Sequence, residues 1–128
     1  MHPMDLTSGW VSVPGTSRIA TKLLSGDFDE ASRKGFRTRY VRIEAGGETF
    51  EPYEHEYWEE LLIIEGELTS KADGSTISAP GYVLRPPGTP HGPLVSHTGC
   101  LLVEFQYFAD RAVGMAHYLD AKAPSQEY

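Results

Sequence analysis

A single cysteine, Cys100, serves a chain of 128 residues. That excludes an internal disulfide and any zinc site built on several thiolates. Basic residues are also few: 11 Lys and Arg stand against 18 Asp and Glu, a formal charge of −7. Nucleic acid and anionic membrane surfaces both require a basic footprint, so neither is expected as a partner. Long hydrophobic runs are missing as well. None approaches the roughly 18 residues that span a bilayer, and the opening MHPMDLTSGW lacks the basic region and apolar stretch of a secretory signal. The expectation is a reducing, cytoplasmic setting. Within the run CLLVEF, Cys100 then reads as a small packed residue rather than a nucleophile.

What the chain does have is punctuation: 13 Gly and 9 Pro separate short apolar segments. Regular turn signals between short strands predict an all-β sandwich or barrel. Strands are expected at 9–13, 18–24, 36–45, 49–55, 59–70, 76–79, 82–86, 93–97 and 100–108, with a polar connection over 25–35 that has room for one helical turn. That many edges close most readily into a barrel or a double-sheet jelly roll. At this length one domain is expected over 1–128: N-terminal strands within 9–35, a core at about 36–108, and a short helical or irregular tail over 109–128.

Chemistry concentrates in EPYEHEYWEELLIIEG, residues 51–66. On a strand, Tyr53 and His55 share a face. Glu59 would lie about 13 Å beyond His55 on one straight strand, too far to share an ion. A bend at Glu56-Tyr57-Trp58 instead lets Glu59 open a second strand beside His55, and the run Leu61 to Ile64 reads as that strand buried on both faces. A third metal-capable side chain, His91, sits in RPPGTPHGP. Pro86, Pro87, Pro90 and Pro93 stiffen this loop and lower the entropy lost when a ligand is held. Two imidazoles and a carboxylate are the facial set of non-haem Fe(II) enzymes, and they also suit zinc or manganese. Any chain with 5 His and 18 acids contains such triples, so composition alone leaves a solvated acidic loop as the competing reading.

The spacing goes further. Gly47, five residues, Tyr53-Glu54-His55, three residues, Glu59, six residues and Gly66 resembles the first motif of the cupins. Gly81, four residues, Pro86-Pro87-Gly88, two residues and His91 resembles the second, one residue short. The phrases EELLIIEGEL, YVLRPPGTPHGP and GCLLVEF look most like the cupin domain of zinc-binding anti-sigma factors, and like small cupins related to acetylacetone-cleaving dioxygenases. The resemblance, to the RmlC-like jelly-roll superfamily, covers about 36–108. It implies a cupin-type jelly-roll β-barrel with a divalent metal in its mouth, held by His55, Glu59 and His91. Fe(II) is favoured, with Zn, Mn or Ni as the other options. There are two departures: Tyr53 stands at the first histidine of the usual set, and Val95 at the terminal asparagine. Tyr53 would ligate as phenolate, hydrogen-bond to a metal-bound water, or only pack.

Other side chains carry two readings each. Tyr53 and Glu51 are the candidates for proton transfer. Arg85, Trp58 and Arg39 are the candidates for substrate contact, against an ordinary role for Arg85 in tying loops, for Trp58 in the core and for Arg39 on a charged solvent face. Glu60 reads as a structural carboxylate and His97 as a surface histidine; His2 and His117 have no partner motif. The expected function is a metal-dependent enzyme on a small diketone-like or enolisable substrate: a dioxygenase, lyase or isomerase. A non-catalytic sensor or structural barrel is the alternative. A homodimer is expected, since short barrels pair through outer strands. The first 35 residues read as too β-like to serve as a helical partner-gripping segment.

Overall fold

The computed structural model describes residues 1–109. Apart from Ala109, the expected tail lies outside the described residues, as does His117. Eight strands follow in order: β1 (Val11–Ser12), β2 (Thr16–Gly26), β3 (Phe36–Thr49), β4 (Trp58–Ser70), β5 (Thr76–Ser78), β6 (Gly81–Arg85), β7 (Leu94–Ser96) and β8 (Cys100–Tyr107). Among the described residues there is no helix, and hence none long and apolar enough to cross a membrane. Over 25–35 a tight turn replaces the expected helical turn, with Asp29 bridging Lys34 and Arg33 at φ 58°.

Two long strands organise the molecule. The first half of β3 pairs with β8 and its end with β7; the first half of β4 pairs with β8 and its end with β7. The ring β3–β8–β4–β7 is therefore closed by antiparallel pairing, with β1 and β2 added outside β3 and with β5 and β6 outside β4. This is the predicted jelly-roll barrel, and closure removes the unpaired edges of its inner strands. The expected end of a strand at Gly46-Gly47 is instead a corner that β3 turns, with Gly46 at φ 83°. A matching irregularity lies between Ile63 and Glu65 on β4. Shortly after it, Gly66 sits at φ 79°, where an added Cβ would meet the Gly99 carbonyl oxygen at 1.8 Å. Only glycine fits that crossing.

Inside, Ile19, Ile43, Leu61, Ile63, Leu68, Cys100 and Leu102 form the core, with Val41 and Leu94 against it. The run Leu61 to Ile64 alternates rather than being buried on both faces: Leu61 and Ile63 are buried, Leu62 and Ile64 exposed. Among the described residues nothing covers Leu62 and Ile64 on the outer face of β4, so the pleat sets burial. The N-terminal arm covers the outer face of β3. Arg42 lies over the Trp10 ring at 4.1 Å, and Tyr40 packs beside it.

Candidate metal centre

Of the stretch expected as a strand at 49–55, Thr49 ends β3 and the rest is a loop. Its one ladder contact is the backbone pair Tyr53–His91: Tyr53 N–H donates to His91 O at 2.7 Å, and His91 N–H to Tyr53 O at 2.9 Å. A third tie, from Gly88 N–H to His55 O at 2.7 Å, joins the same two loops. Three backbone bonds thus hold His55 and His91 in fixed relation, and the prolines around His91 limit the other conformations open to it. The chain bends at Glu56 and Tyr57, and β4 begins at Trp58, one residue earlier than expected.

Ligand-capable atoms of His55, Glu59 and His91 all lie within 4.8 Å of one another. Neighbouring ligands on a tetrahedral ion, with bonds of about 2.0–2.2 Å, are about 3.4 Å apart, so side-chain rotations that draw the atoms in by about an ångström close the set. His91 Nδ1 lies 3.1 Å from the Thr89 carbonyl. A carbonyl only accepts, so Nδ1 carries the proton, and the Nε2 lone pair faces Glu59 Oε1 at 3.8 Å. Burial, with the Arg85 charge, lowers the His91 pKa, which keeps the ring neutral and able to ligate. The His55 ring stacks on Tyr57 at 4.5 Å and 9°, and Tyr57 packs edge-on against Phe28 at 5.0 Å. Two imidazoles and a buried carboxylate fit a divalent metal by donor chemistry and by placement.

Glu59 is enclosed by donors. Arg85 Nη1 donates to Oε1 at 2.9 Å and Gln106 Nε2 to Oε2 at 2.7 Å. Gln106 also donates to Glu104, and it accepts from Arg37 Nε at 2.8 Å. Glu104 is gripped by Arg39, whose Nε donates at 2.8 Å. Burial works to raise the Glu59 carboxyl. A hydrogen bond from Glu104, the Arg85 guanidinium and Gln106 outweigh it, so Glu59 is held below the usual range as a carboxylate. Burial and the Glu59 charge push Glu104 upward against the pull of Arg39. When the two share one proton, it resides on Glu104.

These groups line one cavity of about 250 Å³, reached by Tyr53, His55, Tyr57, Glu59, Arg85, His91, Arg39, Glu104 and Gln106, and floored by Ile43, Leu61, Leu68 and Leu102. Not every anticipated residue reaches it. Trp58 is fully buried but faces away from the cavity, because its neighbour Glu59 points in. It stacks parallel to Tyr107 at 6.4 Å and donates from Nε1 to Ala109 O at 3.3 Å, so it belongs to the packing and not to a substrate wall. Glu51 is exposed on the loop and lies outside the lining. Arg39 points inward, not onto a solvated face. Glu60 accepts from the Tyr107 hydroxyl at 2.7 Å and from Tyr82, and His97 is exposed. Glu104 and Gln106 went unnoticed in the sequence. Their signal was present: two polar residues at alternate positions of an otherwise apolar strand share a face.

Comparison with known proteins agrees with this architecture. The model of the ChrR Cupin-like domain family matches residues 6–108. No curated protein matches. Among solved structures, an acetylacetone dioxygenase from Acinetobacter johnsonii aligns with a TM-score of 0.65 at 19% identity, covering 88% of this chain and 79% of that one. The polyketide cyclase RemF from Streptomyces resistomycificus aligns with a TM-score of 0.60 at 19% identity, covering 83% and 78%. A chain in the complex of Rhodobacter sphaeroides SigE with the anti-sigma ChrR aligns with a TM-score of 0.58 at 16% identity, covering 79% of this chain and 48% of that one. At these identities the structural likeness speaks for the fold. The family match spans most of the sequence, and the chain belongs to the ChrR cupin-like family.

Proposed function

For a cupin of this family, we propose metal-dependent catalysis on a small oxygenated substrate inside the barrel, with Fe(II) as the favoured ion and Zn, Mn or Ni as the other options. The observation that carries the reading is the convergence of His55, Glu59 and His91 within 4.8 Å at a cavity. A divalent ion held there supplies Lewis acidity toward a carbonyl oxygen and, as Fe(II), the redox partner for dioxygen in C–C cleavage.

The chain's own residues do the rest. The cavity volume of about 250 Å³ falls below the roughly 300–1,000 Å³ of sites for drug-sized ligands, which suits a diketone, hydroxyketone or enolisable acid. The aliphatic floor excludes water from the reacting carbons. Tyr53, whose ring lies 6.2 Å from that of His55 and 6.1 Å from that of His91, holds or moves a proton at its hydroxyl. Arg39 and Arg85 present guanidinium groups to developing negative charge. Proton transfer is assigned to Tyr53 rather than Glu51, which is exposed outside the cavity.

The likeness to the chain from the anti-sigma complex supports a second reading, a non-catalytic ligand-binding barrel. Metal analysis after anaerobic purification tests the site. The expected result is about one ion per wild-type chain and loss of it in His55→Ala and His91→Ala; equal, low metal in all three would refute it. Oxygen uptake across a panel of diketones, hydroxyketones and small oxo acids then separates enzyme from binding module. Uptake abolished by His91→Ala supports catalysis, and none from the metal-loaded protein favours the binding module.

A further inference from the structure

Arg85 stands in the way of the metal. Its Nη1 donates at 2.9 Å to Glu59 Oε1, the same carboxylate oxygen that lies 3.8 Å from the free Nε2 of His91. The Arg85 and Glu59 side chains are 13% and 5% exposed, so solvent screens the pair little. An ion drawn between the two histidines and Glu59 would share that oxygen with a guanidinium, and two cations on one carboxylate in a poorly screened site oppose each other.

Charge counting leads to the same place. Arg39, Arg85, Glu59 and Glu104 are the fully charged side chains of the cavity lining, and they form two ion pairs. With both acids ionised their charges cancel; with a proton on Glu104 the sum is one positive. A dication therefore leaves at least two positive charges unmatched in a small, partly apolar space. The missing anion has to arrive with the ligand. Because Arg85 and Glu59 line the same cavity, a ligand of a few heavy atoms touches both.

We propose that Arg85 couples the metal to an acidic ligand: a small carboxylate-bearing molecule pairs with its guanidinium and draws it from Glu59, and the released oxygen serves the metal. Each then binds more tightly in the presence of the other, by the same factor. The proposal rests on the metal reading above and narrows its substrate class to small oxo acids rather than neutral carbonyl compounds of equal size. In this scheme Arg85 is a positioning residue for the metal and a direct contact for the ligand carboxylate. The planar fork explains the choice of arginine, since its single bond to Glu59 Oε1 can give way to a bidentate pair on an incoming carboxylate.

The test uses the full chain stripped of metal, with Mn²⁺ as probe and its affinity read from the free-ion electron paramagnetic resonance signal at pH 8. Pyruvate supplies the carboxylate, and pyruvamide is its neutral counterpart. Protein-free titrations correct for chelation in solution. Pyruvate is expected to tighten Mn²⁺ binding to the wild type by about tenfold, a usual size for such coupling, and pyruvamide to leave it unchanged. Arg85→Gln is expected to bind Mn²⁺ alone more tightly than the wild type and to ignore pyruvate. Equal responses to pyruvate and pyruvamide would overturn the proposal, as would Mn²⁺ binding in Arg85→Gln that is unchanged or weaker. The wild-type arms decide the matter even if that variant fails to fold. Uptake no greater than in His55→Ala, with or without pyruvate, is a different failure: it removes the metal reading itself, and the coupling with it.

Discussion

The inward faces of β3, β4 and β8 change character halfway along each strand. On β4, Glu59 gives way to Leu61 and Ile63; on β3, Arg37 and Arg39 to Val41 and Ile43; on β8, Leu102 to Glu104 and Gln106. The register sets these changes side by side, with Glu59 opposite Gln106, Arg39 opposite Glu104, and Leu102 opposite both Val41 and Ile63. One half of the barrel is an aliphatic core. The other half, on the same strands and β6, is a hydrogen-bonded network of five ionisable side chains and an amide. Burying apolar surface stabilises by about 25 cal/mol per Å². A buried ion pair recovers little beyond the desolvation of its charges. The aliphatic half therefore holds the fold, and the polar half keeps two histidines and Glu59 in place at a cost the first half offsets.

The sharpest way to break this contrast is Arg39→Ala. At pH 9, above the value of about 7 to which Glu104 is raised, it leaves Glu104, 8% exposed, without its counter-charge, and urea unfolding should show a loss of about 3–5 kcal/mol. Replacing the pair together, as Arg39→Met with Glu104→Leu, should recover most of that loss. A double variant as unstable as the single one would mean that the polar half holds the fold too. Next in size, a divalent metal at about a hundred times its dissociation constant should stabilise the wild type by about 2.7 kcal/mol. The same addition should leave the melting temperature of His91→Ala unmoved. In the aliphatic half, Ile63→Val should cost about 0.5–1.5 kcal/mol and leave metal uptake unchanged; a fall in uptake would show that the two halves are coupled.

The smallest effect concerns Cys100. Burial, and to a lesser degree the Glu67 charge, pushes its thiol up from 9.0 to about 11. Alkylation of the native protein at pH 8 should be slower than that of the urea-unfolded chain by on the order of a hundredfold. The sign for stability follows. Between about 9 and about 11 the unfolded thiol has lost its proton while the folded one keeps it. The folded state then binds more protons, and stability falls as pH rises through that window. Native alkylation as fast as unfolded would show that this end of the core is open.

Much of the site could be read before any coordinates. The motif glycines, the Pro86-Pro87-Gly88 turn and the spacing of His55, Glu59 and His91 are local features, each imposed by a tight turn or a close backbone approach that few residues satisfy. What failed shared a different cause. The segment 50–55 has the residues of a strand but finds no ladder partner beyond His91. Leu62 and Ile64 are as apolar as their neighbours yet lie exposed, since none of the described residues covers β4 there. Trp58 and Glu59 exchange the roles that hydropathy suggests: the tryptophan faces away from the cavity, and the acid lines it.

The sequence alone determined most of the strands, most of their turns and which three side chains stand at metal-ligand spacing, because turn chemistry and strand periodicity act over a few residues. Only the tertiary structure decided which face of each strand became the interior. It brought together Arg39 and Glu104, more than sixty residues apart in the chain, and set Gln106 against Glu59. It also gave Arg85 to the oxygen that a metal would need. Inward and outward are equivalent on an isolated strand; they become different only when β3, β8, β4 and β7 close on one another.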